Sequence, residues 1–235
     1  MVAATKRSRS GPRRALSEDE ILDATLALLD EGGPNAASIR GIAAKVGVAP
    51  NAVYTYFPDK AAVFKALIER LLGKLDHGVF ADRQQPWRQR VESLALELRA
   101  LLIAHPGRVT VLIGGPMDGP HALALNERLL ELLGDAGLDP TDAARAAYLL
   151  TVYVFGSMAL EVADVATAGP LPPESERVAL RRSAFVATPA GQFPRSAAAA
   201  DVVASYISTE QYIWGLHRVL DGIAGCMAEH PTVGG

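Results

Sequence analysis

Cysteine occurs once in this chain, at Cys226, so no internal disulfide can form and the fold is held by packing alone, as suits a reducing compartment. Cys226 falls on an apolar helical stripe and is expected to be a packed thiol. Aromatic residues are sparse at 6%, which leaves core formation to the aliphatic side chains of a chain that is 49% hydrophobic. No apolar segment follows the charges of Met1-Val2-Ala3-Ala4-Thr5-Lys6-Arg7, so no secretory leader is expected. The longest uncharged stretch runs from Ala146 to Leu160, short of the ~20 residues a membrane helix needs, and no membrane partner is expected. Strict period-two alternation is missing, as is any internal repeat. The histidines (77, 105, 121, 217 and 230) show no zinc-type spacing with Cys or carboxylates. There is no GxSxG or P-loop pattern, and Gly114-Gly115-Pro116 puts proline where a phosphate loop needs N–H donors. These absences predict a soluble, cytoplasmic, helical protein with no catalytic residues, no metal and no cofactor.

Positive charge is unevenly spread. Residues 1–78 carry 11 Lys and Arg against 9 Asp and Glu, while the remainder carries 12 against 17. Lys6, Arg7, Arg9, Arg13 and Arg14 stand in the first fifteen residues with no acid among them. Residues 1–15 are expected to form a disordered basic arm. Such an arm either reaches phosphates or a minor groove, or serves only as a solubilising tail.

Helix signals run the length of the chain. Ser17 and Glu20 form an S-x-x-E capping box, and Gly32-Gly33 ends the helix it opens. Ser38 caps a second helix, Pro50 opens a third, and Asp59 caps a fourth that continues through Leu72. Further helices are predicted over about 87–104, to Ile113, to Leu133, from Pro140 to about Ala166, near 175–187 and over about 201–228. Prolines crowd residues 168–200, which are expected to be mobile apart from that one short helix.

Residues 38–60 carry the most information. Gly47 supplies the positive φ of a tight turn, Ala43 lies four residues earlier where two helices must touch, and Ile42, Val46, Val48 and Val53 fall at the core-facing spacings of a helix-turn-helix. The helix after the turn would enter a DNA groove. Pro50, Asn51, Ala52, Thr55 and Tyr56 lie on its core-free faces. Asn51 can read a base edge, and Ala52 can touch a thymine methyl. Tyr54 and Tyr56 offer hydroxyls to phosphates, or else belong to the core with a wet hydroxyl. Ser38 and Arg40, at the start of the second helix, are further candidate DNA contacts, Arg40 to a phosphate or an adjacent base, and Lys60 adds charge at an N-terminus with free N–H groups.

Val46-Gly47-Val48, Val53-Tyr54-Thr55-Tyr56-Phe57 and Asp59-Lys60 resemble the TetR family of transcriptional regulators. A weaker likeness to the ligand domain of tetracycline repressors extends through Leu98-Arg99-Ala100-Leu101-Leu102, Gly107 and Gly215-Leu216. The resemblance implies an all-α chain: a three-helix DNA-binding domain over 16–64, joined by a long helix to a ligand-binding and dimerisation domain over 65–235. It also implies a homodimer on double-stranded operator DNA, released by a small-molecule inducer. The histidine that holds the magnesium–drug chelate aligns with Val111, and the drug-gripping asparagine with Leu94, so an apolar pocket without magnesium–tetracycline is expected. Leu98, Leu102, Val111, Met117, Phe155 and Trp214 are candidates for its wall, or are ordinary core. Tyr148, Val152, Phe155, Leu216, Leu220 and Ile223 are expected to form the dimer seam. A ligand-independent DNA-binding dimer, an activator and, more distantly, a helical enzyme are the alternative readings.

Overall fold

A computed structural model describes residues 16–76, 78–163 and 169–229. The basic arm expected over 1–15 lies outside them. Every regular element among the described residues is helical: α1 (Glu18–Ala36), α2 (Ile39–Val46), α3 (Pro50–Tyr54), α4 (Lys60–Leu72), α5 (Gly78–Ala81), α6 (Trp87–Ile103), α7 (Pro106–Gly114), α8 (Pro120–Asp135), α9 (Pro140–Ala163), α10 (Glu174–Val186), α11 (Pro194–Ala198), α12 (Ala200–Ala204), a 3₁₀ turn (Ser205–Ile207) and α13 (Thr209–Glu229).

Local chemistry sets the first four helices. The Ser17 hydroxyl accepts from the Glu20 N–H while the Glu20 carboxylate accepts from the Ser17 N–H, closing the capping box. Gly33, at φ 67°, breaks α1 as expected, but one further turn forms through Ala36. Gly47 adopts φ 75°, and the N–H of Val48 reaches back to Ala43 O at 2.9 Å. That left-handed residue turns the chain between α2 and α3, burying Ile42, Ala43 and Val53 together.

The larger part of the chain packs α6, α7, α8, α9 and α13 around one aliphatic core that includes Leu102, Leu112, Leu133, Met158 and Leu216. By length and composition α9 could cross a bilayer. Here Ala143, Ala147, Leu150, Val154 and Met158 face the chain's own core. The helix expected over 201–228 is broken instead at 205–208. The Ser208 hydroxyl accepts from the Gln211 N–H at 3.1 Å and starts α13 afresh. Among the prolines of 169–200, α10 docks through Arg177, which is 5% exposed. Cys226, expected to be packed, is exposed.

Candidate nucleic-acid interface and ligand cleft

Pro50, Asn51, Tyr54 and Thr55 stand exposed on the outer side of α3, with Ala52 half-buried and Val53 and Phe57 turned into the core. Arg40 is exposed beside them on α2, in no ion pair among the described residues. Ser38 caps α2 by accepting from the Gly41 N–H at 3.1 Å, which leaves its own proton free to donate.

Three of the sequence-predicted contacts are already engaged elsewhere. The Tyr56 hydroxyl donates to the Leu16 carbonyl, so its one proton is not open to a phosphate. Thr55 donates to the Asn51 carbonyl at 3.2 Å. The Lys60 ammonium donates to the Pro34 carbonyl at 2.7 Å and sits 4.8 Å from the Phe64 ring centroid. Two of its N–H groups remain, but much of its role is to tie α4 to the end of α1. Neither Leu16 nor Pro34 is close in sequence to its partner, so no local pattern could reveal these bonds.

A cleft of about 320 Å³ opens between α6, α8 and α9. Of the predicted wall residues, Leu98, Met117 and Phe155 line it, joined by Leu94, Asn126 and Thr151. Leu102 and Val111 do not. Both are sealed in the core at 0% and 3% exposure, because they sit on the faces of α6 and α7 that pack against other helices. Trp214 lines a different cleft, between α9 and α13. Among the described residues, no ionisable side chain except the phenol of Tyr148 lines the first cleft.

Segment 115–122, which borders this cleft, is latched to α4. The Glu69 carboxylate accepts from the N–H groups of His121 (2.6 Å) and Ala122 (3.2 Å) and so caps α8. Lys65 pairs with Asp118 at 2.8 Å, and its hydrogen bond holds that carboxyl below the usual range. The Ile68 side chain lies against Gly115.

The expected dimer seam divides. Tyr148 and Val152 are exposed, and Phe155 is half-buried. Leu216, Leu220 and Ile223 are buried within the chain itself, so these side chains are not open to a second copy. The stronger apolar stripe of α13 faces inward, while Trp214, Gly222 and Gly225 face out.

A buried polar network lies behind the second cleft. Both Glu161 oxygens accept from Arg99 at 2.9 Å, and Arg177 adds a 2.8 Å bond. Arg99 also donates to the Thr209 hydroxyl, which donates in turn to Glu174 at 2.7 Å. Burial pushes the Glu174 carboxyl up, but the Thr209 hydroxyl and N–H and the charges of Arg99 and Arg177 outweigh it and leave it below its ordinary value. The sequence reading missed this network, whose members are separated by up to 110 residues.

Comparison with known proteins agrees with this architecture. Residues 21–67 match the family described as bacterial regulatory proteins, tetR family, and residues 81–227 match the tetracyclin repressor-like C-terminal domain. An HTH-type transcriptional regulator of Saccharopolyspora erythraea is 29% identical over 156 residues, 66% of this chain and 64% of that protein. The HTH-type transcriptional repressor DrrR1 of Streptomyces coeruleorubidus is 28% identical over 153 residues, 65% of this chain and 56% of its own length. The chain thus spans less than two thirds of these curated relatives. A possible TetR family transcriptional regulator from Streptomyces coelicolor A3(2) superposes with a TM-score of 0.77 at 30% identity, covering 89% of this chain and 99% of that one. With both halves matched in sequence and the fold matched over 89% of its length, the chain belongs to the TetR family of bacterial transcriptional regulators.

Proposed function

We propose that the chain represses transcription in the cytoplasm as a homodimer on a palindromic operator, and that a small, uncharged, largely apolar molecule in the α6–α8–α9 cleft releases it. The observation that carries this reading is the latch between segment 115–122 and α4. A ligand that moves this segment pulls on Lys65, Ile68 and Glu69, and α4 follows directly on the exposed α3. The similarity to DrrR1, a repressor by name, favours repression over activation. An ionised ligand would lose its hydration in the cleft without gaining a counter-charge, and Leu94 and Val111 offer no group to a magnesium–tetracycline chelate. A hundredfold loss of operator affinity requires about 2.7 kcal/mol of coupling.

The outward stripes of α9 (Leu149, Val152, Gly156) and α13 (Gly222, Gly225) would pair with their symmetry mates as a four-helix bundle. Small residues there allow close approach. Two recognition helices about 34 Å apart then read successive major grooves.

Selection from a random duplex library, followed by binding measurements on the enriched site, tests this reading. The expected result is a two-fold-symmetric site. Failure to enrich any sequence at low salt would overturn it. Asn51→Ala is expected to relax base preference at one position per half-site by about 1–3 kcal/mol, whereas Arg40→Ala weakens all sites alike and lowers the salt slope by about one per half-site. Indistinguishable behaviour of the two variants would reject the assignment.

A further inference from the structure

The second cleft is chemically unlike the first. It lies between the C-terminal half of α9 and the start of α13, is walled on its third side by α12 and the 3₁₀ turn, and encloses about 770 Å³. Its walls are preformed, because Glu174 and Arg177 of α10 hold the 174–207 excursion to Thr209 of α13 and Glu161 of α9. Leu160, Val202, Tyr206 and Trp214 on its border are 73%, 58%, 55% and 59% exposed, a concentration of apolar surface that marks a binding site more often than a bare face.

The lining is aromatic and acidic. Tyr153, Tyr206, Tyr212 and Trp214 contribute rings, and among the described residues no Lys, Arg or His lines the cleft. Glu161 is neutralised by Arg99 and Arg177. Glu210 is exposed and in no ion pair among the described residues. Two of these rings already carry the chain's own cations on one face, Arg99 at 5.4 Å from the Tyr212 centroid and Arg218 at 5.9 Å from that of Trp214, which leaves a ligand's charge to Tyr153, Tyr206 and the remaining face of Trp214. An anion finds little here. The Ser157 and Ser205 hydroxyls donate to backbone carbonyls, and the N–H groups of Thr209 and Gln211 at the start of α13 are taken by Glu174 and Ser208.

We propose that this cleft binds an organic cation, a substituted ammonium carried on an apolar body. The ring faces attract the charge, Glu210 supplies the counter-charge at the mouth, and the rim covers the apolar part. Leu160 and Trp214 also border the outward stripes of α9 and α13, so a second copy of the chain seated there would narrow the mouth. The site stands independently of operator binding, and either reading can fail alone.

The test is direct binding to the full chain. Benzyltrimethylammonium is titrated by calorimetry and by Trp214 fluorescence in a Trp87→Phe background. Choline is then compared with its uncharged carbon isostere, 3,3-dimethylbutan-1-ol. Saturable binding is expected, with choline bound about tenfold more tightly than the isostere. Glu210→Gln is expected to weaken the cations about fivefold, and Trp214→Ala to remove saturable binding. Leu98→Trp, which fills the other cleft, should leave cation affinity unchanged. Equal affinity for the isostere, indifference to Glu210→Gln, loss of cation binding in Leu98→Trp, or no saturation at 10 millimolar on the order of weak-ligand limits would each overturn the proposal. Glu210 is exposed, so its variant decides the matter even if Trp214→Ala does not fold.

Discussion

Glu161→Gln is expected to lower stability by about 3–5 kcal/mol, a large share of what a domain of this kind possesses. Glu161 is 4% exposed and receives bonds from two guanidiniums that are themselves nearly buried, Arg99 at 8% and Arg177 at 5%. Glutamine keeps the shape but removes the charge. Of the two desolvated cations only Arg99 then keeps a carboxylate partner among the described residues, Glu174 at 3.6 Å, whose side chain is 38% exposed. At this chain length the melting temperature should fall by roughly 10 °C. The physical cause is an uncompensated charge, so replacing Arg99, Glu161 and Arg177 together by apolar residues of similar volume should restore most of the loss. A melting curve for Glu161→Gln within about 2 °C of the parent would show that water reaches the network and screens it.

Acid probes the same network from its exposed edge. The Glu174 carboxyl sits below its ordinary value of 4.5 in the folded chain. A depressed carboxyl contributes stability that is complete above its unfolded value and is lost as pH falls through the folded one. Attachment of α10 to Thr209 should therefore hold at neutral pH and fail only in acid below about 4.5. Hydrogen exchange in α10 against pH reads this, and Glu174→Gln should flatten the acid limb.

What was legible in the sequence was what neighbours in sequence decide. The Ser17–Glu20 box, the Ser38 and Asp59 caps and the Gly47 turn each involve residues within a few positions, and all form as the pattern predicts. The apolar stripe of α13 was equally plain, but periodicity shows that a face is buried without showing against what. Leu216, Leu220 and Ile223 therefore looked like an interface when they are core. The outward face of α13 reads weakly, since its exposed residues include Gly222 and Gly225. The Ser208 break was hidden by the apolar run before it. Ligand contacts suffered in the same way: Leu98 and Leu102 are one turn apart on α6, yet only Leu98 reaches the cleft. Arg99 between them carries no local sign of its role, because its partners Glu161 and Thr209 are distant in sequence.

Gly107→Ala is expected to uncouple the two halves of the chain. Alanine in place of glycine ordinarily favours a helix by about 1 kcal/mol, so the expected sign here is diagnostic. A Cβ at Gly107 would lie 2.7 Å from the Leu29 carbonyl carbon and closer still to its oxygen. Those are backbone atoms of α1, and no rotamer moves them aside. On either side of Gly107, Arg108 (2.8 Å) and His105 (3.1 Å) both reach Asp30, so α7 is seated on α1 backbone to backbone and cannot slide. The added methyl must push α7 away from α1, at about 1–3 kcal/mol of overpacking. The melting temperature should fall instead of rising. Because α1 belongs to the reading head and α7 to the core behind the first cleft, operator affinity should drop about tenfold or more with every DNA-facing side chain unaltered. Ligands of the α6–α8–α9 cleft should bind within about twofold of the parent, since no residue lining it moves in sequence or chemistry. A variant that melts higher and holds operator unchanged would mean that α1 and α7 merely touch, and that the α4 latch alone carries the signal between the cleft and the DNA.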